Sequence, residues 1–191
     1  MVTTSLTQGG LRSAGLLAAG TATRIVLTPV VMWLVRAGDA PGLATALFCV
    51  AAATDWFDGR LARRWGVTTN LGSFLDTTAD EILVAGVLIA LLGVARASPW
   101  IVSLILGREI VLMALRGLIA AGGAVMAPSM LGKLKTSIQF LAIALAIVRP
   151  GDPIGGMYLD EWAMLAAAVI TVWSGADYLA RALPALLRDT V

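Results

Sequence analysis

The chain has 191 residues, of which 59% are hydrophobic and 14% charged, and its formal net charge of +2 is too small to indicate a nucleic-acid partner. A mean hydropathy of +0.88 is typical of an integral membrane protein, whereas about a quarter of the residues of a soluble domain are charged. The absence of histidine and the presence of a single cysteine, Cys49, exclude a disulfide within the chain, a zinc site of the usual nitrogen and sulfur ligands, and Ser-His-Asp or Cys-His catalysis.

Six apolar blocks follow one another along the chain, at residues 14–36, 41–63, 71–95, 98–124, 131–149 and 160–183. The longest run without a charge, 117–132, is shorter than the about 20 residues of a simple spanning helix. Spans of this kind turn their charged residues towards one another. No repeat or linker divides the chain, so we predict one all-α domain over residues 1–191, an integral membrane bundle of six transmembrane helices. A soluble helical bundle is the alternative.

Basic residues between the blocks predict the orientation in the membrane. Eight fall on one side, namely Arg12, Arg60, Arg63, Arg64, Lys133, Lys135, Arg181 and Arg188, and three on the other, namely Arg36, Arg96 and Arg149. This bias places both termini and the 60–70 connection in the cytoplasm. Residues 150–160 are expected to form an external turn. Asp177 and Arg181, four residues apart, are expected to form a surface ion pair. Four glycines are interpreted as helix-packing residues, namely Gly20, Gly86, Gly122 and Gly123.

Four aspartates stand out in the second and third blocks: Asp55, Asp58, Asp76 and Asp80. Carboxylates are costly near a bilayer and are rarely kept there without a function. The spacings of three and four residues place each pair on one side of a helical turn. Two such pairs on neighbouring helices could surround a small space with carboxylate oxygens, which suits a hard divalent cation such as magnesium, manganese or calcium.

Small and basic residues accompany these aspartates. Gly59 and Gly72 lack side chains, so a bulky phosphate ligand could approach the backbone closely beside the carboxylates. Arg63 carries a permanent positive charge that can pair with phosphate.

The full spacing, Asp-x-x-Asp-Gly-x-x-Ala-Arg, eight residues, then Gly-x-x-x-Asp-x-x-x-Asp, resembles the signature of the CDP-alcohol phosphotransferases. Every fixed position matches: Asp55, Asp58, Gly59, Ala62, Arg63, Gly72, Asp76 and Asp80. The stretches 47–59, 61–65, 108–110, 115–116 and 132–136, together with Gln139, are also similar to bacterial phosphatidylglycerophosphate synthases. The resemblance covers roughly residues 20–149.

This resemblance implies transfer of the phosphatidyl group of CDP-diacylglycerol to glycerol 3-phosphate with release of CMP. It implies a homodimer in the lipid of the bacterial inner membrane, with its site facing the cytoplasm and containing Mg²⁺ or Mn²⁺, as two ions. Asp80 would be the general base and would also join the metal ligands. The other implied metal ligands are Asp55, Asp58 and Asp76, and the implied CDP-binding residues are Asp55, Gly59, Ala62, Arg63 and Gly72.

The phosphate of the acceptor would require a basic pocket, for which the candidates are Arg24, Arg108, Arg116, Lys133 and Lys135. Arg24 lies in the middle of the first block, where a purely structural arginine is not expected. Glu109 and Arg116 are seven residues apart on one helix face and could form a structural ion pair. Arg108 has no such partner nearby, which favours a role in binding phosphate. Lys133 and Lys135 could instead be anchors that follow the positive-inside rule.

Two other functions remain open from the sequence. Thr77 and Glu81 depart from the proline and lysine usual in the synthases, so a cardiolipin synthase that uses phosphatidylglycerol is a rival, although Arg116, Lys135 and Gln139 favour glycerol 3-phosphate. An ion or proton carrier is a remote alternative, because transport sites usually lie near the membrane midplane and these aspartates cluster at one interface.

Overall fold

A computed structural model describes the backbone of residues 8–65, 70–121 and 129–188, and the side chains of residues 20–54, 75, 77–120 and 129–183. Within these residues the chain forms six α-helices and no strand. They are α1 (Gln8–Ala37), α2 (Pro41–Trp65), α3 (Asn70–Gly93), α4 (Pro99–Ala121), α5 (Met130–Val148) and α6 (Leu159–Arg188). The prediction of an all-α chain is confirmed for this part of the protein.

Each predicted block coincides with one helix. The largest differences lie at the start of α1, which begins at Gln8 and not at 14, and at the end of α6, which reaches Arg188 and not 183. Apolar blocks mark residues suited to lipid, whereas a helix can continue into polar sequence beyond them. Residues 122–124 of the fourth block lie outside the described residues.

The ends of α5 have identifiable causes. Ser129 is in an extended conformation before the helix, and its hydroxyl oxygen accepts a hydrogen bond from the backbone N–H of Gly132 at 3.0 Å, as N-cap residues do. At the other end Arg149 adopts a left-handed conformation with φ of 47°, and its N–H donates to the carbonyl of Leu145 at 2.7 Å. This is the αL termination that more often uses glycine.

Two of the described helical segments, Met130–Val148 and Leu159–Leu183, are long and apolar enough to cross a membrane. Helix α4 carries Arg108, Glu109 and Arg116 in its interior. Large apolar side chains are nevertheless exposed on several helices; those more than 60% exposed include Val26, Trp33, Trp100, Ile110, Leu118, Val169 and Trp173. Apolar surface of this kind marks a partner or a membrane. The fold therefore indicates a membrane protein, and the six spans stay a prediction.

The chain divides into two compact units, residues 1–90 and 91–191, called here the first and second units. In the first unit α1 packs against α2, and Val31, Phe48 and Leu83 are buried. In the second unit α6 packs against both α4 and α5, with Ile105 and Ile143 in the core. The prediction of one domain over residues 1–191 stays a prediction.

Helices α1 and α3 meet closely at Gly86. A β-carbon added there would lie 2.7 Å from Thr28 Cγ2 and 2.9 Å from Met32 Sδ, closer than non-bonded carbon and sulfur atoms can approach. Glycine is therefore required for this approach, and the interpretation of Gly86 as a packing residue is confirmed.

Residues 150–158 form the predicted turn before α6, with a single bridge between Ile154 and Met157. Arg149 holds this turn to the helix. Its Nε and Nη2 donate to Asp160 Oδ2 at 3.2 and 3.0 Å, and its guanidinium lies 4.7 Å from the centre of the Tyr158 ring. Asp160 is fully buried, and this pair compensates for the burial of its carboxylate.

Candidate active site

The eight signature positions lie on two consecutive helices. Five fall in the second half of α2 and three in the first half of α3. The side chains of Asp55, Asp58, Gly59, Ala62, Arg63, Gly72 and Asp76 are outside the side chains that the structure describes, so for these residues only the helical backbone position is established. Asp80 is described in full.

The backbone positions of the four aspartates are matched along the two helices. Asp55 precedes the last residue of α2 by ten positions, and Asp80 follows the first residue of α3 by ten, which at 1.5 Å per residue is about 15 Å from each helix end. Asp58 and Asp76 lie seven and six positions from those ends, about 10 Å. Since Trp65 and Asn70 are five positions apart, these ends are at most about 18 Å apart. An antiparallel helix pair would bring the two sets of positions to equal depth.

Asp80 is bound by an arginine from α1. Arg24 Nη1 donates to Asp80 Oδ1 at 2.5 Å. The side chain of Arg24 is fully buried, whereas that of Asp80 is 25% exposed. A buried guanidinium is stable only when it is paired and hydrogen-bonded, and an arginine cannot lose its charge to avoid that cost. The pair therefore fixes one carboxylate oxygen of a side chain that stays partly exposed.

The donor atoms suit the predicted metal ions. In the described part of the chain no group of three or more His, Cys, Asp or Glu side chains could hold a metal ion, a finding that does not extend to Asp55, Asp58 and Asp76. With no histidine in the sequence, the signature offers carboxylate oxygens alone. Such a donor set fits Mg²⁺ or Mn²⁺ and not zinc or copper.

The second unit contains a separate cluster of charged and polar side chains: Arg108, Glu109, Lys135 and Ser174. We call it the α4–α5 cluster because its three charged residues lie on α4 and α5, whereas Ser174 lies on α6. Glu109 Oε2 accepts from Arg108 Nη1 at 2.9 Å, and Glu109 Oε1 accepts from Lys135 Nζ. Arg108 Nη2 also donates to Ser174 Oγ at 3.1 Å. All three charged side chains are largely buried. Two cations share one carboxylate, so these three side chains carry a net positive charge.

The expectation that Arg108 has no acidic partner is wrong. Arg108 pairs with its sequence neighbour Glu109, and Glu109 bridges to Lys135 and does not pair with Arg116 in the described contacts. Neighbouring helix positions do not face each other, but the side chain of Arg108 is long enough to reach the carboxylate of Glu109. It does so beside Gly175, where a β-carbon would lie 3.4 Å from Arg108 Cγ.

The remaining predicted basic residues differ in exposure. Arg116 is exposed, with its guanidinium carbon 5.5 Å from the centre of the Tyr178 ring. Lys133 is exposed, whereas Lys135, two positions later, is buried. The predicted surface pair is confirmed, because Arg181 Nη2 lies 2.7 Å from Asp177 Oδ2.

One member of the α4–α5 cluster, Ser174, receives no role from the sequence alone, whereas Gln139 counts there only in favour of a glycerol 3-phosphate acceptor. Ser174 follows no recognisable motif, and only the packing of α6 against α4 brings it to Arg108. Gln139 lies one turn after Lys135 on α5 and is 2% exposed. Among the described side chains, neither of its amide atoms has a hydrogen-bond partner. A buried amide in this state is available to a ligand or to water.

Comparison with known proteins extends these observations over most of the chain. The sequence model of CDP-alcohol phosphatidyltransferases matches residues 18–173. The chain is 40% identical over 172 residues to the CDP-diacylglycerol–glycerol-3-phosphate 3-phosphatidyltransferases of Shigella flexneri serotype 5b (strain 8401) and Escherichia coli (strain K12), covering 86% of this chain and 92% of each relative. It is 40% identical over 167 residues to the protein of the same name from Salmonella choleraesuis (strain SC-B67), covering 83% and 90%.

Proposed function

Because this chain belongs to the CDP-alcohol phosphatidyltransferase family, we propose that it transfers the phosphatidyl group of CDP-diacylglycerol to glycerol 3-phosphate, giving phosphatidylglycerophosphate and CMP. The observation that carries this proposal is the 40% identity to relatives named for that reaction, over 86% of the chain. The chain is thus an enzyme of the phosphatidyltransferase class.

In the proposed reaction Asp80 acts as the general base. A new bond forms between the acceptor hydroxyl oxygen and the phosphorus that carries diacylglycerol, while the bond from that phosphorus to the CMP oxygen breaks. The hydroxyl proton passes to the carboxylate of Asp80, whose Oδ1 accepts a hydrogen bond from Arg24. The partial exposure of Asp80 supports this role, because a base must reach the proton that it abstracts.

Asp55, Asp58 and Asp76 would hold two Mg²⁺ or Mn²⁺ ions, with Asp80 at the edge of the set. Ions bound there would neutralise the pyrophosphate and stabilise the departing CMP. The chain itself would orient the nucleotide. Gly59, Ala62 and Gly72 would allow close approach to the helix backbones, and Arg63 would pair with phosphate.

For the acceptor's phosphate we propose the α4–α5 cluster as the principal binding site. Its net positive charge and its burial favour a small anion, since charge-assisted hydrogen bonds strengthen where water is excluded. Glu109 keeps Arg108 and Lys135 close together, and the amide of Gln139 could bind a hydroxyl group of the acceptor. Arg116 and Lys133, which are exposed, would attract the anion without holding it.

We further propose that all six helices span the inner membrane of a bacterium, that the site faces the cytoplasm, and that the enzyme is a homodimer. The bias of basic residues supports the orientation, and the exposed apolar side chains support contact with lipid or with a second copy. Family resemblance alone supports the homodimer.

The proposal is tested with purified protein in detergent, CDP-diacylglycerol and Mg²⁺, with each candidate acceptor supplied separately. We expect CMP release with glycerol 3-phosphate and none after chelation of the metal. Release only with phosphatidylglycerol would assign the chain to cardiolipin synthesis and contradict the proposed acceptor. Release with no acceptor at the same rate would indicate hydrolysis, which would contradict transfer.

A further inference from the structure

Two contacts between α1 and α3 lie at matching positions along the two helices. Arg24 on α1 meets Asp80 on α3, and Thr28 and Met32 meet Gly86. Gly86 follows Asp80 by six residues, and the midpoint of Thr28 and Met32 follows Arg24 by six residues. At 1.5 Å per residue, both second contacts lie about 9 Å further along their helices. The two helices therefore run in the same direction here, and the contact at Gly86 sets where Arg24 lies relative to Asp80.

The contact at Gly86 leaves little freedom on the α1 side. Thr28 is 5% exposed, and its hydroxyl donates to the carbonyl oxygen of Arg24 at 2.8 Å. This bond and the branched β-carbon fix the side chain, because threonine has few χ1 conformations in a helix. Thr28 Cγ2 cannot rotate away without losing the bond to Arg24. Any added atom at Gly86 must then displace α1, and Arg24 moves with it.

We propose that Arg24 is a positioning residue for Asp80, and that the contact of Gly86 with Thr28 sets its position. This inference rests on the proposed function, in which Asp80 takes the acceptor proton. Arg24 is fully buried, which suits a fixed contact with a carboxylate better than contact with a soluble phosphate. By holding Oδ1, Arg24 fixes the orientation of the Asp80 carboxylate.

If the contact at Gly86 positions Arg24, a substitution at Gly86 should lower turnover. A displacement of about 1 Å at a reacting group can lower the rate about 100-fold. We expect Gly86→Ala to lower kcat by about 10- to 100-fold while the KM values for both substrates change little. The matched control is Gly42→Ala in the first turn of α2, where an added β-carbon meets no atom within 4 Å.

A second substitution distinguishes displacement from general damage. Thr28→Ser removes Cγ2 and keeps the hydroxyl that binds the Arg24 carbonyl. We expect Gly86→Ala with Thr28→Ser to recover most of the lost kcat, because the atom nearest to the added β-carbon is then absent. The proposal is overturned if the double variant stays as slow as Gly86→Ala, or if Gly42→Ala is slowed equally.

The guanidinium itself is tested by chemical rescue. Arg24→Ala should lower kcat, and millimolar guanidinium chloride should restore part of it, whereas the exposed Arg36→Ala should behave as wild type with or without the additive. Thermal unfolding gives a readout independent of turnover. The losses of stability caused by Arg24→Ala and by Asp80→Asn should not add up in the double variant. Additive shifts, or no rescue in a folded variant, would overturn the role of Arg24. If Arg24→Ala does not fold, the Gly86 and Thr28 variants decide.

Failure of the proposed function is recognised separately. If wild-type protein turns over a different acceptor, all these variants are measured with that acceptor, and the positioning role stands or falls on them. Loss of glycerol 3-phosphate specificity alone therefore contradicts the proposed acceptor and leaves the contact of Arg24 with Asp80 under test.

Discussion

The two units each bury charge between helices, but they balance it differently. In the first unit Arg24 and Asp80 form a pair in which the cation is fully buried and the carboxylate is partly exposed. In the second unit Arg108 and Lys135 share the carboxylate of Glu109, and all three are largely buried. The first arrangement presents an oriented acid, whereas the second keeps a net positive charge. The pair of Arg24 and Asp80 is thus suited to proton transfer, and the α4–α5 cluster is suited to anion binding.

Removing the acid of the first unit should have the largest effect. Asp80→Asn keeps the size of the side chain but cannot accept a proton, so we expect kcat to fall by about 100- to 10,000-fold, as general bases typically contribute. CMP release from CDP-diacylglycerol in the presence of glycerol 3-phosphate measures it. Unchanged turnover would show that Asp80 is not the base and would remove the distinction between the two units.

Substitutions in the α4–α5 cluster of the second unit should raise KM for glycerol 3-phosphate and leave kcat unchanged. Lys135→Met removes one charge-assisted contact to the acceptor's phosphate, and we expect KM for glycerol 3-phosphate to rise by about 10- to 100-fold. Lys133→Met is the matched control, because Lys133 lies two positions away and is exposed. Its KM should change by less than about threefold. Equal increases in both variants would indicate attraction by overall charge and would contradict a defined phosphate site in the cluster.

Ion pairs with a purely structural role should affect stability alone. Arg149→Met leaves Asp160 buried and unpaired, so we expect the free energy of unfolding to fall by about 3 kcal/mol with KM values unchanged. The exposed pair of Asp177 and Arg181 provides the control, since Asp177→Asn should change stability by less than about 1 kcal/mol. Thermal unfolding in detergent measures both. A raised KM in Arg149→Met would show that burial of charge does not distinguish structural from functional pairs.

The sequence predicts elements and motif positions better than it predicts contacts. Hydropathy locates all six described helices because each of them contains a largely apolar block. The spacing of Asp76 and Asp80 predicts that both lie on one side of a helical turn, and both positions fall within α3. Arg24 and Asp80 are 56 residues apart, and no local rule relates them. Their contact depends on the α1–α3 register, which a single glycine sets.

The error over Arg108 has a related cause. Helical periodicity assigns Glu109 to Arg116 and gives no weight to adjacent residues, yet the contact depends on side-chain length and on the space beside Gly175. Interpreting Gly86 as a packing residue, by contrast, needed only its size. Predictions that use one helix at a time thus succeed where backbone geometry decides, and they fail where the length of a side chain and the space around it decide.

The left-handed backbone at Arg149 has a thermodynamic consequence. A residue with a β-carbon in this region costs about 1–2 kcal/mol, and glycine would avoid that cost. Arg149 nevertheless occupies the position with φ of 47°, because its side chain compensates through Asp160 and Tyr158. Arg149→Gly would therefore relieve conformational strain while it breaks the pair, and it should destabilise the protein less than Arg149→Met. The difference between those two variants is the relief of strain less the entropy that glycine gains in the unfolded chain.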